Sequence, residues 1–199
     1  MSRFGPRGGA VILCRRDEET MTPAEREHAT KYLETTRESY LHAARSLSRD
    51  QLQYKPAPDR WSVAEALEHI IIVERRVLGS IEKTVQQAPN ASKSALEDQF
   101  LVRRVATRLG RFKGPDVLMP KGQWPEHRLP EEFEAVRRRS LEFASNTQAE
   151  LRHHSFPHPF FGELDCYQWL LLIPAHCERH LAQAAEVMAE PGFPRTTAV

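Results

Sequence analysis

Two histidines four residues apart, His176 and His180, stand in the segment WLLLIPAHCERHLAQ, where a run of large apolar residues would otherwise continue toward a core. On a helix, residues four apart share a face with their Cβ atoms about 5–6 Å apart, so both imidazoles point where Leu172, Ile173 and Val187 point, roughly inward. A third histidine, His69, lies in WSVAEALEHIIIVERRVLGSI with Ala66 and Val73 on its own face, so it too interrupts an apolar stripe rather than a charged one. Three neutral inward nitrogens, one from an early helix and two from the last, form a donor set for a divalent cation with one or more positions left open. Zinc and nickel both suit imidazole. The competing assignment is three buried neutral histidines, each satisfied by its own hydrogen bonds. It obliges the adjacent pair to find up to four partners among apolar neighbours.

The residues around the histidines narrow the chemistry. HCERH is not the zincin pattern, which needs Glu directly after the first His; here Cys177 holds that place, so a metalloprotease is not the expectation. Cys177 is turned about 100° from His176 and reads as a small buried thiol. Gln183, one turn past His180 on the same face, is placed to orient a metal-bound water or a substrate, and a polar residue near a helix end is the plainer account of it. Glu65, one turn before His69, is the best-placed general base, although a helix-capping role accounts for it as well. Trp61 and Trp169 read as core anchors. His154 and His158 repeat the four-residue spacing, but Pro157 and Pro159 forbid the helix that would align them. His28, His42, His127 and His153 have no partner at useful spacing.

The elements that must position these side chains follow from punctuation. TPAE at Thr22–Glu25 combines a Thr N-cap, a Pro at the first helical position and a Glu at the third, opening a helix to about Leu47 whose buried stripe is Leu33, Thr36, Tyr40, Ala44 and Leu47. SVAE at Ser62–Glu65 opens a second long helix to about Gln87, after a lead-in kept extended by Pro56 and Pro58. SALE at Ser94–Glu97 predicts a shorter helix ending near Gly110, and Gly110 to Pro130 reads as loop. PEEFEAVRRRSLEFAS, from Pro130, places acids in a first turn and arginines further along. A last helix is expected from about Asp165 to Glu190, after the Pro-rich turn FPHPFFGE. With no series of alternating β-branched segments, the expectation is an all-α chain: a four-helix bundle with one extra short helix in an insertion at about 88–130.

Composition bounds the partners. The 199 residues are 40% hydrophobic and 28% charged, which fits one globular domain, expected over 22–190 between a Gly/Pro/Arg-rich disordered leader at 1–21 and a tail at 191–199. Lys+Arg at 28 against Asp+Glu at 27 gives a net charge of +1, interspersed rather than massed, so no nucleic-acid partner is indicated. AVILC near the start is too short for a signal sequence, and IIIV and WLLLIPA fall far below the roughly 20 residues that span a bilayer. Cys14, Cys166 and Cys177 are odd in number and form no C-x-x-C pair, which fits a reducing, cytoplasmic setting without disulfides.

Two motifs carry a family resemblance. W-S-x-x-E-x-L-x-H at Trp61–His69 and P-x-x-G-x-L-x-x-x-x-W-L-x-x-x-x-x-H-x-x-R-H-x-x-Q from Pro159 to Gln183 resemble the DinB/YfiT-like superfamily, over roughly 22–190. The resemblance implies an up-down-down-up four-helix bundle with a three-histidine divalent metal site, carried here by His69, His176 and His180. Characterised members include thiol S-transferases and maleylpyruvate isomerases that take a low-molecular-weight thiol as cosubstrate. A three-imidazole ion keeps its charge and lowers the pKa of a bound thiol or water, so the expectation is an enzyme activating one of these for transfer to a small electrophilic substrate. The alternative is a non-catalytic metal or small-ligand binding protein of the same fold, associating as a homodimer through bundle helices. The leader and the long 88–130 segment depart from the compact family pattern.

Overall fold

A computed structural model describes residues 20–90, 96–108 and 114–195. Four long helices make the bundle: α1 (Pro23–Ser46), α3 (Val63–Thr84), α5 (Leu129–Asn146) and α6 (Cys166–Met188). Around it lie two short helices, α2 (Arg49–Gln53) and α4 (Asp98–Ala106), short 3-10 turns, and a hairpin of β1 (Ser155–His158) and β2 (Gly162–Asp165).

Reciprocal caps set the starts. Thr22 with Glu25, Ser62 with Glu65 and Asp165 with Gln168 each close a capping box, satisfying N–H groups that the first helical turn leaves without partners. Ser48 with Gln51 does the same for α2, a helix that the sequence pattern did not reveal. α1 and α3 end at Ser46 and Thr84, close to expectation. The SALE expectation shifts: α4 begins at Asp98 with Glu97 itself in extended conformation as the cap, so Glu97 is not the third residue of a capping box. Ser94 and Gly110, like residues 1–19 of the expected leader and 196–199 of the tail, lie outside the described residues.

Cross-helix pairs fix the directions. Arg26 donates to the carbonyls of Ala144 and Thr147, and Arg37 pairs with Glu134, so α1 and α5 run antiparallel. Arg75 meets Glu132 and Arg139 meets Glu82, so α3 runs parallel to α5. Tyr167 Oη donates to the Glu25 carbonyl and Tyr32 Oη to Glu178, so α6 runs parallel to α1. The bundle is therefore up-down-down-up, with α3 against α6 and α1 against α5 as its most extensive pairings.

The core is apolar along each inner stripe, with Leu33, Tyr40, Leu67, Ile70, Ile71, Phe133 and Leu170 at most 1% exposed. Each such Leu or Ile contributes roughly 1.5–3 kcal/mol by burial. One charged network is folded into it. Arg137, fully buried on α5, makes a bidentate bond to Glu74 of α3 (2.8 and 2.7 Å) and donates to the Leu33 carbonyl and Thr36 Oγ1 of α1 (2.6 Å each).

FPHPFFGE is not a bare turn. Its residues belong to the antiparallel hairpin, Ser155 pairing with Asp165 and His158 with Gly162, whose φ of +70° is the left-handed conformation glycine adopts freely. Among the described residues this two-stranded hairpin is the exception to the expected all-α fold.

A candidate metal centre between α3 and α6

His69 projects from the second turn of α3, and His176 and His180 from successive turns of α6, the helix packed against it. One ring nitrogen from each lies within 4.8 Å of the other two. The ring centroids are 5.0 Å apart for His69 and His176, 4.5 Å for His69 and His180, and 4.4 Å for His176 and His180. Nitrogens held tetrahedrally at 2.0–2.1 Å from zinc lie about 3.4 Å apart, a spacing that falls inside the 4.8 Å bounding the three here.

Two of the three rings are already oriented. His69 Nδ1 is 2.7 Å from the Leu118 carbonyl, which only accepts, so Nδ1 carries the proton and Nε2 keeps its lone pair. His180 Nδ1 donates in the same sense to Gln183 Oε1 at 2.8 Å. Such outer partners fix the tautomer and direction of a metal-ligating histidine.

Burial keeps the group neutral. His69 and His180 are 6% and 8% exposed, while His176 is only partly covered. Desolvation is the largest influence on all three. It lowers His69 against the opposing effect of the Leu118 bond, and with repulsion from His69 it pushes His180 down to about 3. His176 falls well below the ordinary histidine range through burial and then repulsion from a protonated His180 or His69. At neutral pH all three present lone pairs rather than charges.

Sequence reasoning missed the residue that ties the insertion to this site. Glu68, 3% exposed, accepts the backbone N–H groups of Lys121, Gly122 and Gln123, each at 3.0 Å, with Gly122 at a φ of +68°. The segment expected to be loop between Gly110 and Pro130 is, where described, two 3-10 turns, Asp116–Leu118 and Glu126–Arg128, with the clamped residues between them. The first turn ends on the carbonyl that orients His69. The only local hint was an acid beside a histidine in a segment otherwise rich in buried apolar residues.

The other expectations divide. Trp61 is no core anchor: partly exposed, its ring lies 4.8 Å from His69 and 5.8 Å from His180 and so covers one flank of the site. Trp169 is one, stacked on Phe156 at 4.4 Å and donating to the Phe156 carbonyl. Gln183 is bonded to a histidine of the group rather than left as a helix-end residue. Glu65 is engaged by the Ser62 N–H and by Lys55 Nζ. Cys177 is fully buried, its thiol pushed up to about 12 by desolvation, as a packing residue should be; Cys166 is also a buried free thiol, and Cys14 lies outside the described residues. His154 and His158 flank and join the hairpin and stay out of the group, and His154 Nδ1 is a buried polar atom without a hydrogen-bond partner among the described residues. No helix among the described residues is long and apolar enough to cross a membrane.

The chain is 28% identical over 144 residues to an uncharacterized Bacillus subtilis protein, YuaE, the alignment covering 72% of this chain and 86% of that one. No solved structure gives a significant match. The family model of the DinB superfamily matches residues 32–184, a span that holds all three histidines and all four bundle helices save the ends of the first and last, and the chain belongs to that superfamily.

Proposed function

We propose that His69, His176 and His180 hold one divalent metal ion, zinc or nickel by the preference of imidazole, in an enzyme that activates a thiol or water for transfer to a small electrophilic substrate. The observation that supports it is the convergence of three neutral imidazoles, two of them with Nδ1 already committed to an outer acceptor. Buried histidines without a common ligand have no need of one another's company. A bound ion supplies the positive charge that makes a thiol or water nucleophilic near neutral pH. The chain's own part is to aim and to enclose: the Leu118 carbonyl and Gln183 orient two rings, Trp61 shields them from water, and His176, the least covered of the three, marks the open side. The buried free thiols Cys166 and Cys177 accord with a cytoplasmic setting.

A second reading has one observation in its favour. The ligand group contains no carboxylate, and Glu65 is occupied elsewhere, so no general base stands in it among the described residues. That suits a non-catalytic metal or small-ligand binding protein, associating as a homodimer. The test is turnover by chain loaded with zinc or nickel, given a low-molecular-weight thiol and a panel of electrophiles. Thiol-dependent product that disappears in His176→Ala supports the enzyme; a fully loaded protein with no turnover supports the binding protein.

A further inference from the structure

Apolar stripes continue past the histidines on both helices. On α3, Val73 and Val77 stand one and two turns after His69; on α6, Ile173 and Leu172 stand one turn before His176 and Trp169 two turns before it. Because α3 and α6 pack antiparallel, the two stripes run side by side as a seam toward the hairpin. Val73 and Val77 are half-buried along it, and Trp169 lies about 10 Å of helix from His176.

At its far end the seam meets aromatic rings. Phe156 stacks on Trp169 and accepts its indole N–H, which fastens the hairpin to α6. Further rings gather beyond that fastening. His158, on the same side of β1 as Phe156, lies 5.0 Å from Trp169, 4.7 Å from Phe161 and 5.9 Å from Phe160. Phe160 is 58% exposed, and His158 and Phe161 are half-buried. A single exposed ring is ordinary, whereas a contiguous patch marks a place where something binds. The patch also has one polar handle. The Phe160 N–H donates to His158 Nδ1 at 3.1 Å, so the neutral ring carries its proton on Nε2, which has no acceptor among the described residues.

We infer that Trp169, His158, Phe160 and Phe161 form a ring subsite at the end of the α3–α6 seam, taking the flat, uncharged aromatic ring of a small substrate and a neutral oxygen acceptor on His158 Nε2. Ring faces and edges are what such a cluster offers a ligand. The inference rests on the metal-site reading and narrows it: the substrate's reacting end lies along the seam toward His176, and its body is aromatic.

The test is an NMR titration of the full zinc-loaded, nitrogen-labelled chain with acetophenone, an aromatic ring bearing one carbonyl acceptor, and with its saturated counterpart, cyclohexyl methyl ketone. Acetophenone should shift the Trp169 indole N–H and the amides of residues 158–161, and bind about 2- to 10-fold more tightly than the saturated ketone, the worth of an aromatic pair. Phe160→Ala removes an exposed ring without touching the core and should weaken acetophenone by a similar factor. His158→Phe keeps a ring, loses the N–H donor and should also weaken it by about 2- to 10-fold. Equal affinity for the two ketones, shifts confined to other parts of the chain, or native affinity in Phe160→Ala overturns the subsite. So does a native chain that sediments as a dimer while Phe160→Ala sediments as a monomer, since the patch would then be a contact between copies. Repeating the titration on EDTA-treated chain separates the two readings: if zinc never binds stoichiometrically the metal reading fails, while discrimination between the ketones that depends on Phe160 still upholds the ring subsite.

Discussion

The Glu68 carboxylate makes its hydrogen bonds to Lys121, Gly122 and Gln123 rather than to the histidine rings, yet replacing it with Gln should weaken metal binding. In the native chain Glu68 Oε1 accepts from Lys121 and Gln123 and Oε2 from Gly122. A Gln amide can serve one side through its oxygen but turns an NH2 toward the N–H on the other, and all three bonds lose their charge. A buried hydrogen bond to a charged group is worth about 1.5–3 kcal/mol, and an amide left without an acceptor costs about 1–3 kcal/mol. The clamp should therefore loosen by roughly 2–4 kcal/mol, and the amides of residues 121–123 should exchange with solvent roughly 30- to 1,000-fold faster. Because Leu118 is three residues from that clamp and holds His69 Nδ1, metal affinity should fall about 10- to 100-fold, the usual effect of losing an outer-shell partner. Hydrogen exchange resolved by residue, beside zinc competition with a chromophoric chelator, reads both effects. Faster exchange at 121–123 with native zinc affinity would show that the Leu118 carbonyl does not position His69 for a metal, and unchanged exchange would show that there is no clamp.

Removing metal with EDTA should leave the helical circular dichroism intact, because capped helices and an apolar core fold the bundle without it, unlike a zinc finger; a collapse of the signal contradicts this. Glu74→Ala, which strands the buried Arg137 guanidinium, should cost about 3–5 kcal/mol and lower the melting temperature by roughly 10 °C; an unchanged melting temperature refutes the buried network as drawn. Desolvation against Trp169 and Phe161 pushes His158 down to about 4. Its unfolded value is about 6.5, so the unfolded chain binds the extra proton: stability is full above pH 6.5 and falls as pH drops toward 4, by less than about 1.4 kcal/mol per pH unit since the ring is partly exposed. Urea unfolding in EDTA at pH 7, 6 and 5 should show a shallower loss for His158→Phe than for the native chain, and parallel curves would contradict it.

What could be read from residues alone is what repeats on a short period. Thr22 with Glu25 and Ser62 with Glu65 announced two helix starts because a cap is a local device, complete within four residues. His176 and His180 announced a shared face for the same reason, and His69 stood out by interrupting the apolar face of Ala66 and Val73. Where the reading slipped, the deciding interaction was remote in sequence. Ser94 and Glu97 imitate a capping box, while α4 starts after Glu97 and is anchored by Arg152 bridging Asp98, Glu25 and Asp165. Glu68 looks like any surface acid until the chain returns 53 residues later to give it three N–H groups. Arg137 is one of three consecutive arginines further along the helix from Pro130, and only the approach of α1 and α3 shows it to be buried. The hairpin around Gly162 carries prolines and no alternation, so neither period announces it.

The central claim is that His69, His176 and His180 act on one ion as a unit. Metal content and melting temperature measured together for the three single His→Ala variants and the triple variant decide it. Tight binding of about one ion per chain should be lost in every single variant, with the second and third substitutions adding little, because ligands of one ion are strongly non-additive, while His154→Ala keeps the metal. Metal loading unchanged across the series, with each substitution costing its own 1–3 kcal/mol or so of stability, would mean three separately satisfied buried histidines and no metal centre.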